Sequence, residues 1–295
     1  MSRIHHSVCR WCYHSIPLED LCLAAKDIGI SSIELVMPDD MPLLAKHGLT
    51  CAMISFPVGK TPDGTEVGRI EKAFNRLEHH DTLVEIYTPH LKAAAAAGAK
   101  NVIVFSGNRE GISDEDGLQN CATGLRRLLP LAETLGITLV MELLNSKIDH
   151  PDYQCDHTAW GVKLCETLGS KNFGLLYDIY HMQIMEGDVI RTIQESHAYL
   201  GHYHTAGNPG RNEIDDTQEL NYPAIMRAIK ATGFTGFVAQ EFIPKRTPPL
   251  DSLRADRFAR ITRRDCLTTV LGPASSTIHR STSTTTFPRR GPGGI

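Results

Sequence analysis

The chain has 295 residues, 41% of them hydrophobic, which is enough to fill one sizeable core. Its formal net charge of −4 gives no general affinity for phosphate backbones, so a nucleic-acid partner is not expected. No stretch approaches the ~20 apolar residues of a membrane span and the N-terminus lacks a signal-peptide run, so a cytoplasmic protein without a membrane partner is expected.

In chain order, short β-like runs alternate with longer helical patterns. Val8 to Tyr13 reads as a first strand, and Pro17 opens a helix that Gly29 ends. Ser32 to Met37 is a second strand, Met41 to His47 a short helix, and Thr50 to Phe56 a third strand. A long helical stretch is then expected from Glu66 to Ala97, broken near Thr88-Pro89. Asn101 to Phe105 is the fourth strand, followed by a helix from Asp114 to Leu135. Ile137 to Leu144 and Phe173 to Asp178 are the fifth and sixth strands, separated by a helix from Thr158 to Leu168. A helix from about Asp188 to Leu200 leads to the seventh strand, within Tyr199 to Thr205; Tyr222 to Ala231 is helical, and Phe237 to Phe242 is the eighth strand. Eight strands alternating with helices predict an α/β fold of the (β/α)8 TIM-barrel type, spanning residues 1–266 as one catalytic domain. An open doubly wound sheet is the alternative, but no G-x-G-x-x-G follows the first strand.

A final basic helix is expected from Asp251 to about Cys266. Residues 267–295 are rich in Ser, Thr, Gly, Pro and Arg and lack acidic residues, a composition that predicts a disordered low-complexity tail. Eight cysteines are scattered along the chain, and only Cys9 and Cys12 form a C-x-x-C. Without a second cysteine pair they read as reduced thiols rather than as a zinc or redox site.

Four late strands each end in a side chain able to bind a metal: Glu142, Asp178, His204 and Glu241. Their spacing, close to one strand–helix unit per step, puts them on consecutive strands at the C-terminal rim, where barrel enzymes place their sites. Each acid lies among apolar residues, where an unpaired charge would cost several kcal/mol, and a divalent cation would remove that cost. A strand-end acid taken singly is more often a salt-bridge partner or a helix cap; four on consecutive strands point to a site. His202 shares a face with His204, so either imidazole could reach the metal. Position favours His204, leaving His202 a structural role lower in the barrel. Arg211, in the loop after the seventh strand, could clamp a substrate carboxylate, and His181 lies three residues past Asp178, in a loop and free to turn inward. Glu34, between Ile33 and Leu35, reads as a structural ion-pair member.

The segment Tyr177 to Gly187 resembles the Y-D-x-Y-H-x-Q stretch of hydroxypyruvate isomerases, and Gly201 to Arg211 followed by Glu219 to Tyr222 resembles their seventh-strand motif. Met141 to Asn145 and Gln240 to Phe242 are similar to that family's two glutamate motifs. The likeness covers about Ile4 to Arg246, most specifically from Leu139 onward; the wider xylose-isomerase-like superfamily shares looser versions. The resemblance implies that Glu142, Asp178, His204 and Glu241 bind the metal, that Glu142 and Glu241 also move protons, and that His181 contacts substrate. Hydroxypyruvate isomerases often carry glutamine at the position of His204; histidine there is similar to ketose 3-epimerases and inosose-processing relatives.

The implied reaction interconverts an α-hydroxyaldehyde and an α-hydroxyketone through an enediolate, with hydroxypyruvate and tartronate semialdehyde as the expected pair. Three oxygen ligands and one nitrogen suit Mg2+ or Mn2+, with Co2+ and Zn2+ also acceptable. The expected partner is a small hydroxy-oxo acid or a sugar, and homo-oligomerisation stays open. Three other readings compete. A ketose 3-epimerase or inosose dehydratase would use the same apparatus on a longer polyol. An endonuclease IV-like nuclease would need a multi-metal cluster and a DNA-binding surface. A metal-binding protein without catalysis would not need all four positions filled.

Overall fold

The computed structural model describes residues 4–255. Among these, seven strands form one parallel sheet: β1 (His5–Cys9), β2 (Ser32–Glu34), β5 (Asn101–Val104), β6 (Thr138–Glu142), β7 (Phe173–Asp178), β8 (Leu200–Thr205) and β9 (Phe237–Gln240), in the order β2-β1-β9-β8-β7-β6-β5. A separate antiparallel pair joins β3 (Gly59–Lys60) and β4 (Glu66–Val67). The eighth position of the ring is filled by residues 50–54. Thr50 N donates to Ser31 O at 3.0 Å on the β2 side, and Ile54 N donates to Asn101 O at 2.9 Å on the β5 side. Parallel bridges Ser32–Thr50, Val36–Ile54 and Ile54–Val102 therefore close the barrel. The expected third strand is there, but its ladder is interrupted for a local reason. Ser32 Oγ accepts from Ala52 N at 2.8 Å and Asn101 Nδ2 donates to Ala52 O at 2.9 Å, so side chains take the groups that a neighbouring strand would bond.

Ten α-helices are found among the described residues, with α1 (Leu18–Ile28) and α2 (Met41–Lys46) following the first two strands. Helix α1 matches the expected span, with Gly29 at φ 87° in the left-handed region that ends it. The long helix expected from Glu66 begins only at His80, as α3 (His80–Ala96), and it runs through Pro89 without breaking there. Its late start follows from the β3–β4 pair and from Gly68, whose φ of 103° brings it so close to Pro57 O that a Cβ would lie 2.3 Å away. Burial of Leu83, Tyr87, Leu91 and Ala94 on one face outweighs the cost of the proline, each large apolar side chain contributing about 1.5–3 kcal/mol. The helix expected over Asp114 to Leu135 divides into α4 (Asp114–Arg126) and α5 (Leu129–Leu135), with Pro130 in the first turn of the second helix, where its missing N–H costs no hydrogen bond. After α6 (Thr158–Leu168) and β7, an unexpected α7 (Ile179–Met185) precedes α8 (Val189–Ser196). Helix α9 (Tyr222–Ala231) leads into β9, and α10 (Leu250–Ala255) packs against α1. The remainder of the expected final helix and the tail lie outside the described residues.

The inward face of the strands carries Ile103, Val140, Leu176 and Ala239 and the hydrogen-bonded Ser7–Ser32 hydroxyls below ionisable groups at the rim, while Val8, Ile33, Val102 and Val238 are buried on the opposite side of their strands. The register places Asp178 beside His204 on neighbouring strands, and Glu241 is tied to the end of β8 by donating its N–H to Thr205 O at 2.8 Å.

Candidate metal centre

Glu142, Asp178, His204 and Glu241 come together as the strand ends predict. One donor atom from each lies within 4.8 Å of all the others, and all four residues are buried. His204 Nδ1 sits 3.3 Å from Glu142 Oε1 and 3.0 Å from Glu241 Oε2. Asp178 divides its two oxygens. Oδ1 caps α7 by accepting from Tyr180 N at 2.8 Å and His181 N at 3.1 Å, while Oδ2 has no hydrogen-bond partner. Glu142 Oε1 and His204 Nδ1 also lack one. Buried polar atoms are normally satisfied, and these three face one another. A divalent cation fits this donor set: it would accept their lone pairs and offset the repulsion among three carboxylates.

The electrostatics agree. Burial, followed by the nearby Glu241 carboxylate, pushes the Glu142 carboxyl above the ordinary range, and the same two causes raise Asp178 further. Glu241 goes the other way: burial opposes ionisation, but His204 and Arg211 hold its carboxyl well below the usual value. Two acids pushed up and one pushed down within one cluster describe a site short of positive charge.

Arg211 reaches into this cluster. Its Nη2 donates to Glu241 Oε2 at 2.6 Å and lies 3.8 Å from Asp178 Oδ2, and its Nε has no partner. The guanidinium lies 5.0 Å from the centre of the Trp11 ring and 5.5 Å from that of Tyr180, so two aromatic faces fix its plane. His181 is fully buried, with Nε2 3.7 Å from Asp178 Oδ2. It sits in the first turn of α7 rather than in a loop, because Asp178 supplies a helix cap that the strand reading did not anticipate.

His202 takes the structural place expected of it: its Nε2 lies 2.8 Å from Glu34 Oε1, below the cluster. Glu34 is an ion-pair member as expected, but its partners are both histidines, with His204 Nε2 at 2.7 Å on the same oxygen. Although burial opposes it, the charge and hydrogen bond of His202 and the hydrogen bond of His204 bring the Glu34 carboxyl down to about 2. With Nε2 donating to Glu34, His204 turns Nδ1 toward the carboxylates, where a bound cation would take its lone pair in place of a proton. Trp11 is a site residue that the sequence reading passed over. Its Nε1 donates to Glu241 Oε1 at 2.7 Å, and its place directly after β1, at the C-terminal rim, was the available signal. Cys9 is a free buried thiol, its Sγ 3.8 Å from Glu34 Oε1 and 3.7 Å from His204 Nε2, and Cys12 is a free, partly buried one.

A family model described as xylose isomerase-like TIM barrel matches residues 22–260. The chain belongs to the xylose isomerase-like TIM-barrel family. Within that family it is similar to a 2-oxo-tetronate isomerase of Cupriavidus necator, 33% identical over 77% of this chain and 87% of that one. The hydroxypyruvate isomerase of Escherichia coli is 31% identical over 76% of this chain and 86% of its own length. Among solved structures, one described as AP endonuclease, family 2, from Brucella melitensis superposes with a TM-score of 0.71 at 26% identity, covering 83% of this chain and 95% of that one. The barrel predicted from the strand pattern is thus the family's fold, and this family member is a hydroxypyruvate isomerase-like enzyme of the intramolecular oxidoreductase class. No helix among the described residues is long and apolar enough to cross a membrane.

Proposed function

We propose that the chain is a divalent-metal-dependent isomerase that interconverts hydroxypyruvate and tartronate semialdehyde through an enediolate. The observation that carries this reading is the set of buried, unbonded donor atoms on Glu142, Asp178 and His204, beside Glu241 and the partly buried Arg211. Glu142, Asp178, His204 and Glu241 would hold the ion, with Mg2+ or Mn2+ suiting the donor set best and Co2+ or Zn2+ also acceptable. Bound there, such an ion supplies electrostatic stabilisation to negative charge developing on the two adjacent substrate oxygens.

The residues of the chain divide the remaining work. From hydroxypyruvate, one carboxylate removes a proton from the hydroxymethyl carbon, and the electron pair moves to form the carbon–carbon double bond of the enediolate. A proton is then delivered to the adjacent carbon, and the hydroxyl proton passes from one oxygen to the other, so atoms balance without any redox partner. Glu142 and Glu241 are the pair assigned to these transfers. They stand on β6 and just past β9, on different sides of His204, and can address the two faces of a substrate carbon. Glu241 is steadied by Trp11 on one oxygen and by Arg211 on the other. Arg211, its plane fixed by two rings and its Nε unpartnered, is the group to meet the substrate carboxylate. His181 lines the same space.

The similarity to a 2-oxo-tetronate isomerase favours a second reading, in which the same chemistry acts on an acid one carbon longer. A panel with hydroxypyruvate, tartronate semialdehyde, 2-oxo-tetronate, a 3-ketose and inosose, run with Mg2+ or Mn2+ in deuterated water, separates them. Turnover of a 2-oxo acid with deuterium entering at the carbon next to the carbonyl is the expected result. Turnover of the neutral sugar alone would overturn the acid assignment.

A further inference from the structure

We infer that Asn145 locks His181 in a neutral form that carries its proton on Nε2, so that His181 presents an N–H donor to the reacting oxygen of the substrate. The orientation of the Asn145 amide is decided by its neighbours. One amide atom of Asn145 receives two backbone donors, Ile148 N at 3.0 Å and Asp149 N at 2.9 Å, and must therefore be the oxygen. The other lies 2.6 Å from Asp149 Oδ2, a carboxylate oxygen that only accepts, and must therefore be the nitrogen. Flipping the side chain would set NH2 against two N–H groups and oxygen against oxygen, so three contacts oppose it.

That nitrogen lies 2.6 Å from His181 Nδ1. A donor facing Nδ1 at this distance requires a lone pair there, which excludes a proton on Nδ1 and with it the doubly protonated ring. The single ring proton is left on Nε2. His181 is fully buried, and its Nε2 has no hydrogen-bond partner among the described residues; Asp178 Oδ2, 3.7 Å away, is itself unpartnered. A fully buried N–H aimed at the metal cluster with nothing to bond is a place for a ligand oxygen. A neutral imidazole donor stabilises charge growing on a carbonyl oxygen without giving up its proton, which is the role suited to an enediolate. Asn145 is the positioning residue and His181 the group that touches substrate. The assignment of the substrate atom rests on the proposed isomerase reading, whereas the tautomer does not.

The experiment uses full-length, Mg2+-loaded protein labelled with 15N at histidine, and reads each ring by long-range proton–nitrogen correlation. The His181 signals are identified by their loss in His181→Gln. Wild type is expected to show a protonated Nε2 and an unprotonated Nδ1 at His181. In Asn145→Asp combined with Asp149→Asn, which removes the carboxylate that would otherwise stand 2.6 Å from the new oxygen, one oxygen at position 145 still accepts from the backbone N–H groups of residues 148 and 149, while the other accepts from the ring, so the proton should move to Nδ1. The same variant should lose about 10²–10³-fold in kcat, the usual loss for one oxyanion donor, with KM and Mg2+ affinity little changed. A wild-type ring protonated at Nδ1 overturns the inference, and it does so even if the variant fails to fold. An Asn145→Asp, Asp149→Asn protein with the moved proton and undiminished kcat overturns the catalytic half alone. If no substrate in the panel turns over, the isomerase reading fails while the tautomer measurement still decides the lock.

Discussion

Replacing Glu34 tests how the proposed metal-binding nitrogen of His204 is chosen. Glu34 Oε1 lies 2.8 Å from His202 Nε2 and 2.7 Å from His204 Nε2, and its Oε2 has no hydrogen-bond partner. In Glu34→Gln the amide oxygen can occupy the Oε1 position and keep the bond that steers His204, but the negative charge that makes the imidazole a better donor is gone. In Glu34→Ala both the charge and the acceptor are lost, and His204 can turn or carry its proton on Nδ1. Loss of such an outer partner typically lowers metal affinity by about 10–100-fold. Keeping one of the two contributions puts Glu34→Gln near the lower end, about 10-fold or about 1.4 kcal/mol, and Glu34→Ala near about 100-fold. Calorimetric titration of Mn2+ into chelator-treated protein measures both, and melting in chelator establishes that each variant is folded before metal is added. A folded Glu34→Ala protein that binds Mn2+ with wild-type affinity would refute the argument that Glu34 sets the donor nitrogen.

Glu142→Gln and Glu241→Gln, each assayed at saturating metal with occupancy measured directly, should each lower kcat by about 10²–10⁴-fold and suppress solvent-deuterium exchange at the substrate carbon. A fully metallated variant that still exchanges normally removes that residue from proton transfer. Arg211→Lys keeps the charge but loses the planar fork stacked on Trp11 and Tyr180, so KM for hydroxypyruvate should rise more than kcat falls, as steady-state kinetics would show. Asp156 supplies a test by pH. Burial opposes its ionisation, yet hydrogen bonds from Arg109, Ser146 and His157 hold its carboxyl below the ordinary 3.8. A depressed folded-state value means that its contribution is present above that ordinary value and is lost as the pH falls through the folded one. Asp156→Asn should therefore cost about 1.5–3 kcal/mol in urea unfolding at neutral pH, and the penalty should shrink below about pH 4; a penalty independent of pH would contradict the assignment.

The late strands and their rim residues were legible because strand alternation alone tells which side chains face inward. An acid or imidazole at such a position, bounded by Val140, Leu176 or Ala239, has few innocuous places to go. The first half of the barrel was harder to read. Thr50 to Phe56 has strand composition, but Ser32 and Asn101 take over part of its backbone bonding, and no local pattern reports that. The helix through Pro89 and the short α7 capped by Asp178 are tertiary outcomes: one is decided by a buried face, the other by a candidate metal ligand whose second oxygen serves as a cap. Within the candidate site, the four proposed metal ligands, Arg211 and His181 are all legible as candidates from position or motif. Trp11, Glu34 and Asn145 act by bonding those residues from other parts of the chain, at separations of 230, 170 and 36 residues from Glu241, His204 and His181 respectively, and pairings over such distances leave no periodic trace.

The central claim is that Glu142, Asp178, His204 and Glu241 hold one divalent ion that turnover requires. Rigorous chelation followed by stepwise return of Mn2+ tests it most directly, with bound metal measured by elemental analysis and hydroxypyruvate isomerisation measured on the same samples. The account predicts that activity disappears with the metal and returns in proportion to occupancy, saturating at one ion per chain. Full activity in metal-free protein, or saturation of activity at two ions per chain, would contradict it.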